Sequence, residues 1–154
     1  MIVDRLGRKF TNLRVSLTAA CNYACTYCVP NGKRLTKAQN ELSAAELVKA
    51  VTLLQQATGI DKVRITGGEP LVTPKFDEFL PTVMDLGLKD VSLTTNGQLL
   101  IAKRDVIARS GLRRMNISLD TLNPLRFKHI ARGGDLDTVL RGVESMLELG
   151  LKLK

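Results

Sequence analysis

The sequence predicts an α/β protein built on a parallel sheet. Four short, β-branched apolar segments recur along it: LRVSL (13–17), KVRIT (62–66), DVSLT (90–94) and MNISL (115–119). Between them lie stretches with helix starts, apolar stripes at helical spacing and a glycine just past each end. No linker or low-complexity segment interrupts the alternation, and strand–helix–strand at such intervals makes right-handed βαβ units.

Each element carries its own signals. The first strand is followed by a long aperiodic insertion. Ser43 and Glu46 then form a capping box ahead of an inward stripe at Leu47, Ala50, Val51 and Leu54, and Gly59 ends that helix. The second helix opens at Thr73-Pro74, with proline at its first position and Asp77 and Glu78 in its first turn. Phe76, Phe79, Leu80 and Val83 give its buried face, and Gly87 closes it. A third runs roughly over 102–110 and stops at Gly111. FKHIAR (127–132) is also helical in pattern, with His129 packed or at the surface. Asp135 caps the last helix, with Val139, Leu140, Val143, Met146 and Leu147 inward and Gly150 at its end. The terminal LKLK alternates like the start of a fifth strand cut midway. Periodicity alone leaves a doubly wound sheet and a barrel segment equally open.

With 154 residues, 44% of them hydrophobic, the chain fits one domain with a real core. It offers no run of eighteen apolar residues for a membrane span, and MIVDRLGRKF is too charged for a signal peptide. Three cysteines make an odd count, which speaks against a disulfide framework and for a reducing cytoplasm. The net charge of +8 is dispersed over helix faces, and aromatics are only 4%, too few for base-stacking platforms. Neither a nucleic acid nor a membrane is therefore expected as partner; the charge reads first as a solvated surface and second as attraction to an anionic small molecule.

All three cysteines fall within CNYACTYC (21–28), spaced by four and then three. A structural zinc wants four ligands, and His129 is the only other soft candidate. Iron–sulfur clusters also take thiolates, typically four, so three would leave one iron open to a substrate or cofactor. The loop follows the first strand; TGGEP (66–70), TTNG (94–97) and SLD (118–120) stand at the ends of the next three. Strand ends in a parallel sheet share one rim, where α/β folds place their sites. Gly67-Gly68 and Asn96-Gly97 could each be simple turns; their common location is what makes them a candidate site. Arg14 and Arg64 alternate with apolar neighbours in two strands. An inward arginine is costly without an anion, whereas an outward one could pair with Glu46 or Asp77.

CxxxCxxC with Tyr27 before its last cysteine, followed by GGEP after the next strand, resembles the radical S-adenosylmethionine enzymes. RLGRKFTNLRVSLTAACNYACTYCVP, VRITGGEPL, LTTNG and NISLDTLNPLRFKHIAR are similar to the GTP 3′,8-cyclase family of molybdenum cofactor biosynthesis. Ala19-Ala20 and Val29 depart from that family's usual Asp-Arg and Met. The resemblance implies an open (β/α)6 TIM-like barrel, of which residues 1–154 would be the radical SAM core, truncated at its C-terminal end and inactive alone. It further implies a [4Fe–4S] cluster on Cys21, Cys25 and Cys28, with S-adenosylmethionine on the fourth iron, and contacts to that cofactor from Tyr27, Gly68 and Ser118. GTP, the implied substrate, would meet Arg14, Arg64, Thr94 and Lys154. Radical cleavage of the cofactor would remove a hydrogen from the ribose C3′ of GTP, and the carbon radical would attack C8 of guanine. An electron donor is implied as a partner, and a homodimer is left open. The competing readings are a radical enzyme acting on a peptide or RNA, and a non-catalytic electron-transfer or metal-binding module.

Overall fold

The computed structural model describes residues 2–154. A short antiparallel hairpin, β1 (Ile2–Val3) with β2 (Lys9–Phe10), precedes the main sheet. The chain then runs β3 (Asn12–Ser16), α1 (Ala44–Thr58), β4 (Lys62–Thr66), α2 (Lys75–Met84), β5 (Asp90–Thr95) and α3 (Arg104–Ser110). It continues with β6 (Arg114–Ile117), α4 (Pro124–Ala131), α5 (Leu136–Glu148) and β7 (Lys152–Leu153), and a 3-10 turn lies at Pro70–Val72. Strands β3 to β7 lie side by side in chain order, all parallel, with β3 and β7 as the edges of an open sheet. Helices provide the crossovers that parallel pairing demands.

The pleat sorts residues onto two faces. Val15, Val63, Ile65, Val91, Leu93 and Met115 are buried and join Phe76, Phe79, Leu80, Val83 and Ile107 from the helices in one core. The alternate positions, Asn12, Arg14, Lys62, Arg64, Asp90, Ser92, Thr94, Arg114 and Asn116, are polar and, by register, stand on the opposite face. A parallel sheet packed by helices on one face and polar on the other is arranged as one wall of a TIM-like barrel, here open at β3 and β7. The expected fold class is what the strands form.

Capping follows the sequence signals closely. Ser43 and Glu46 make the reciprocal capping box, and Asn123 and Asp135 cap α4 and α5 by accepting from Arg126 and Thr138 N–H. Several details differ from the sequence reading. Pro74 precedes α2 rather than opening it, and a second proline, Pro81, sits inside that helix on its exposed side. The third helix begins at Arg104, two residues later than expected. Leu54, in the last turn of α1, and Leu147, at the margin of the α5 stripe, are exposed, while Val51, Val139 and Met146 bear the burial. His129 lies exposed on α4.

The long segment between β3 and α1 is pinned by one carboxylate. Glu41 accepts from the Thr18 hydroxyl (2.8 Å), the Ala19 N–H (2.7 Å) and the Ala38 N–H (3.3 Å), and pairs with Lys75 of α2 at 2.9 Å. Burial pushes its pKa up, but these donors together outweigh burial and hold it at about 2.

Two measurements check this framework. Phe79 is fully buried, so Phe79→Ala should cost about 3–5 kcal/mol in urea denaturation through the cavity it leaves; a loss below about 1 kcal/mol would place Phe79 outside the core. The folded pKa of Glu41 lies below the ordinary 4.5, so its stabilisation is present in full above that value and lost as the pH falls toward about 2. Glu41→Gln should therefore be less stable than the parent chain at neutral pH, with the gap closing in acid. A gap independent of pH would mean that the charge is not what pins the segment.

Candidate active site at the carboxyl rim of the sheet

Beyond the strand ends, backbone pairing continues into the rim loops. Leu17 donates to Thr66 O (3.0 Å), Gly68 to Thr18 O (2.7 Å), Glu69 to Ala20 O (2.8 Å) and Ser118 to Thr95 O (2.8 Å). These bonds draw the residues just before Cys21 against the GGE turn. A Cβ on Gly68 would lie 2.4 Å from both the Ala19 and Ala20 carbonyl oxygens, so only glycine permits the approach. Its place is dictated by the neighbouring loop as much as by any ligand.

Glu69 occupies the centre of the rim with 1% of its surface exposed. It accepts from the Thr95 hydroxyl (2.6 Å), Asn96 N–H (2.7 Å) and Leu71 N–H (3.1 Å). Burial pushes its pKa up and the three donors oppose that. Asn96 in turn donates to the Asn22 side chain (2.7 Å), carrying the network into the cysteine loop. On the other side of that loop Tyr23 is buried against Phe127, and its hydroxyl reaches Gln98 Oε1 at 2.8 Å. Glu69, Asn22, Tyr23 and Gln98 had no assigned role in the sequence reading. Only the glutamate gave a signal there, as a charged residue in an otherwise compact GGEP turn.

All three cysteines are free, Cys21 and Cys25 half-buried and Cys28 exposed. Burial pushes the thiols of Cys21 and Cys25 up. The three border two adjoining cavities. One, of about 180 Å³, is lined also by Tyr23, Tyr27, the Thr66–Glu69 turn, Thr94, Thr95, Asn96 and Ser118. The other, of about 280 Å³, adds Val29 and Leu35. Tyr27 is largely exposed and its hydroxyl donates to Asp120 at 3.1 Å, spanning from the cysteine loop to the segment after β6. Among the described residues, no three His, Cys, Asp or Glu side chains gather as a single metal ion requires.

Lower on the same polar face, a cavity of about 330 Å³ is lined by Asn12, Leu13, Arg14, Val63, Arg64, Asp90, Ser92 and Arg114. Arg14 and Arg64 are direct cross-strand partners, both exposed, and neither joins an ion pair among the described residues. Glu46 and Asp77, their alternative partners, are engaged with Ser43 and Lys103. Arg114, by contrast, is bound in a forked pair to Asp90, with Nε to Oδ1 at 2.7 Å.

Of the residues singled out in the sequence, Cys21, Cys25, Cys28, Tyr27, Gly68, Thr94 and Ser118 thus share one cavity, with Arg14 and Arg64 together in the next. Lys154 lines neither. Its backbone continues the pairing of β7 with β6, accepting from Ile117 at 2.8 Å.

The family model described as the radical SAM superfamily matches residues 15–154. GTP 3′,8-cyclase of Alkaliphilus oremlandii (strain OhILAs) is 41% identical over 149 residues, which are 96% of this chain and 47% of that protein. A probable GTP 3′,8-cyclase of Methanococcus maripaludis (strain C5 / ATCC BAA-1333) is 38% identical over 148 residues, 96% of this chain and 49% of that protein. The chain spans about half the length of the curated relatives it matches. Among solved structures, Streptococcus suis SuiB bound to S-adenosylmethionine superposes with a TM-score of 0.79 at 22% identity, over 94% of this chain and 33% of that one. BtrN in complex with AdoMet and 2-DOIA gives 0.68 at 22% identity, over 96% and 56%. At such identity the likeness concerns the fold. The matched segment begins inside β3 and runs through β7, taking in the cysteine loop and all the later strands of the sheet: the chain belongs to the radical S-adenosylmethionine superfamily.

Proposed function

We propose that this chain is the core of a GTP 3′,8-cyclase, which converts GTP to (8S)-3′,8-cyclo-7,8-dihydroguanosine 5′-triphosphate in molybdenum cofactor biosynthesis. The observation that carries the reading is the Arg14–Arg64 pair. Arg14 and Arg64 stand directly opposite on strands whose backbones lie about 5 Å apart, and like charges so placed repel each other. Two guanidiniums left so, beneath a cavity bordered by three thiols, suit an anionic ligand such as a triphosphate. The identity to curated proteins of that name favours GTP over a peptide or RNA.

The cofactors of the superfamily are a [4Fe–4S] cluster and S-adenosylmethionine. The donor set fits them: a cubane takes three thiolates on three different irons, so the sulfurs need not converge on one point. When bound, the pair supplies the electron and the sulfonium whose cleavage begins radical chemistry. The chain's own residues bind, orient and shield. In this reading Cys21, Cys25 and Cys28 hold the cluster, and its iron charge offsets the burial that pushes the free thiols up. The backbone at Tyr27 and Gly68 and the hydroxyl of Ser118 hold S-adenosylmethionine. Glu69 keeps the loops bearing those groups in register. Thr94, on the same pleat as Ser92 and about 7 Å further along β5, joins the cofactor cavity to the arginine cavity. Arg14 and Arg64 hold phosphates there, and Lys154, which shares pleat parity with Lys152 at the β7 edge, approaches the same face. An electron donor and a reducing compartment complete the requirements.

Anaerobic reconstitution should yield four irons and four sulfides per parent chain, as the [4Fe–4S] formula requires, and far less in Cys25→Ala. Zinc bound without sulfide would contradict the cluster. In the whole protein, Arg64→Ala should weaken GTP binding by roughly one to two decades in calorimetry, the equivalent of about 1.5–3 kcal/mol for one charge-assisted contact. Unchanged affinity would take Arg64 out of the site, and equal binding of unrelated nucleotides or peptides would point to another radical enzyme.

A further inference from the structure

Arg132 is the one non-glycine residue with positive φ among the described residues, at φ 49° and ψ 33°. Side chains avoid this left-handed region because Cβ crowds the following carbonyl. Glycine is the usual residue where a helix ends this way, and here two glycines, Gly133 and Gly134, come only afterwards. A strained arginine at a helix end invites the question of what its side chain does.

The side chain reaches the cysteine loop. Nη1 donates to Val29 O at 3.3 Å and to Pro30 O at 3.1 Å, and it lies 3.5 Å from where a Cβ on Gly32 would stand. Both carbonyls belong to the two residues directly after Cys28. The stretch around Cys25 rests on the same helix end: Ala24 N–H donates to Ala131 O (3.0 Å) and Thr26 N–H to Ile130 O (2.9 Å). Gly134 is pressed against the buried Tyr23 ring, which a Cβ there would meet at 2.3 Å. The carboxyl end of α4 is therefore the platform for CNYACTYC.

The two halves of that loop are held differently. Cys21 N–H donates to Leu35 O at 3.1 Å, and on either side of Cys25 the bonds of Ala24 and Thr26 to α4, with the buried Tyr23, fix the chain. The hydrogen bonds at Cys28, Val29 and Gly32 run within the loop itself, Cys28 and Val29 to Cys25 O and Gly32 to Val29 O. Cys28 is also the exposed thiol of the three. Just before Cys28, the Tyr27 hydroxyl reaches out of the loop to Asp120, and Arg132 supplies the tie from outside to the backbone just after it.

We propose that Arg132 is a positioning residue that fixes Cys28 relative to Cys21 and Cys25 by holding the Val29 and Pro30 carbonyls, so that the three thiolates stand ready for one cluster. This rests on the reading of Cys28 as a ligand. The left-handed backbone follows from the role, since it turns the guanidinium from the end of α4 toward the loop. A single nitrogen with two N–H bonds at a fixed angle serves two adjacent carbonyls, which a lysine ammonium on a flexible stem does less well.

The test uses Arg132→Gly and Arg132→Asn, both of which accept the left-handed backbone while removing the guanidinium, with Arg132→Lys as the conservative variant. The apo forms of the first two should melt at or above the parent temperature, yet show faster amide hydrogen exchange over residues 28–32. After anaerobic reconstitution they should lose iron to a chelator roughly ten- to a hundredfold faster than the parent, the range known for groups that orient metal ligands. The electron paramagnetic resonance line shape of the reduced cluster should change as well, and Arg132→Lys should fall between. Parent-like exchange, iron retention and line shape in both Arg132→Gly and Arg132→Asn would overturn the proposal. A parent chain that takes up no iron and sulfide would instead overturn the ligand reading beneath it.

Discussion

A carboxylate taken out of water is costly unless donors surround it, and Glu69 meets that condition with groups from separate loops. Its own N–H is bonded to Ala20, one residue before the first cysteine, while its side chain holds Thr95 and Asn96 at the end of β5. The rim loops after β3, β4 and β5 therefore cannot shift independently. Removing any one donor would leave a buried charge short of a partner, a loss larger than the hydrogen bond itself. Such a hub suits a site whose groups come from four different loops.

The sheet beneath supplies the second constraint. Parallel strands with helices on both faces read as continuous apolar runs. Here strict alternation, as in Leu13-Arg14-Val15 and Val63-Arg64-Ile65, marks a sheet covered by helices on one side only. Among the described residues the other side carries no helix, and its residues are arginine, lysine, aspartate, serine, threonine and asparagine. Charge on this face is therefore no defect in packing. It is the same pattern that makes the other face a core.

Much of this was legible in the sequence because local signals and tertiary structure agree. The β-branched segments, the Ser43–Glu46 box, the Asp135 cap and the Phe76–Val83 face all formed as their spacing implied. The convergence of the cysteine loop, GGEP, TTNG and SLD followed from parallel topology alone. What escaped was of two kinds. The hairpin of Ile2–Val3 with Lys9–Phe10 has two-residue strands, too short for any period to show. Glu69, Glu41, Tyr23 and Arg132 act through partners 20 or more residues distant, and no local pattern encodes such contacts. Gly68 was legible as a special position, but the cause, a clash with Ala19 and Ala20, needed the three-dimensional structure.

The arginines on the polar face show how function can be separated from mere basicity. The chain carries a net charge of +8, and most of its cations say nothing about ligands. On this face Arg114 is answered by Asp90, whose carboxyl the guanidinium holds below its ordinary range, so that charge is already spent within the fold. Arg64 and Arg14 stand one and two strands away from that pair and join no ion pair among the described residues. Had folding alone required neutrality here, an acid opposite Arg14 would serve as Asp90 serves Arg114. The face instead keeps two like charges in register and unpaired, a repulsion that an incoming anion would relieve on binding. The uneven treatment of three arginines in one cavity, more than their number, is what the proposed reading of an anionic substrate rests on.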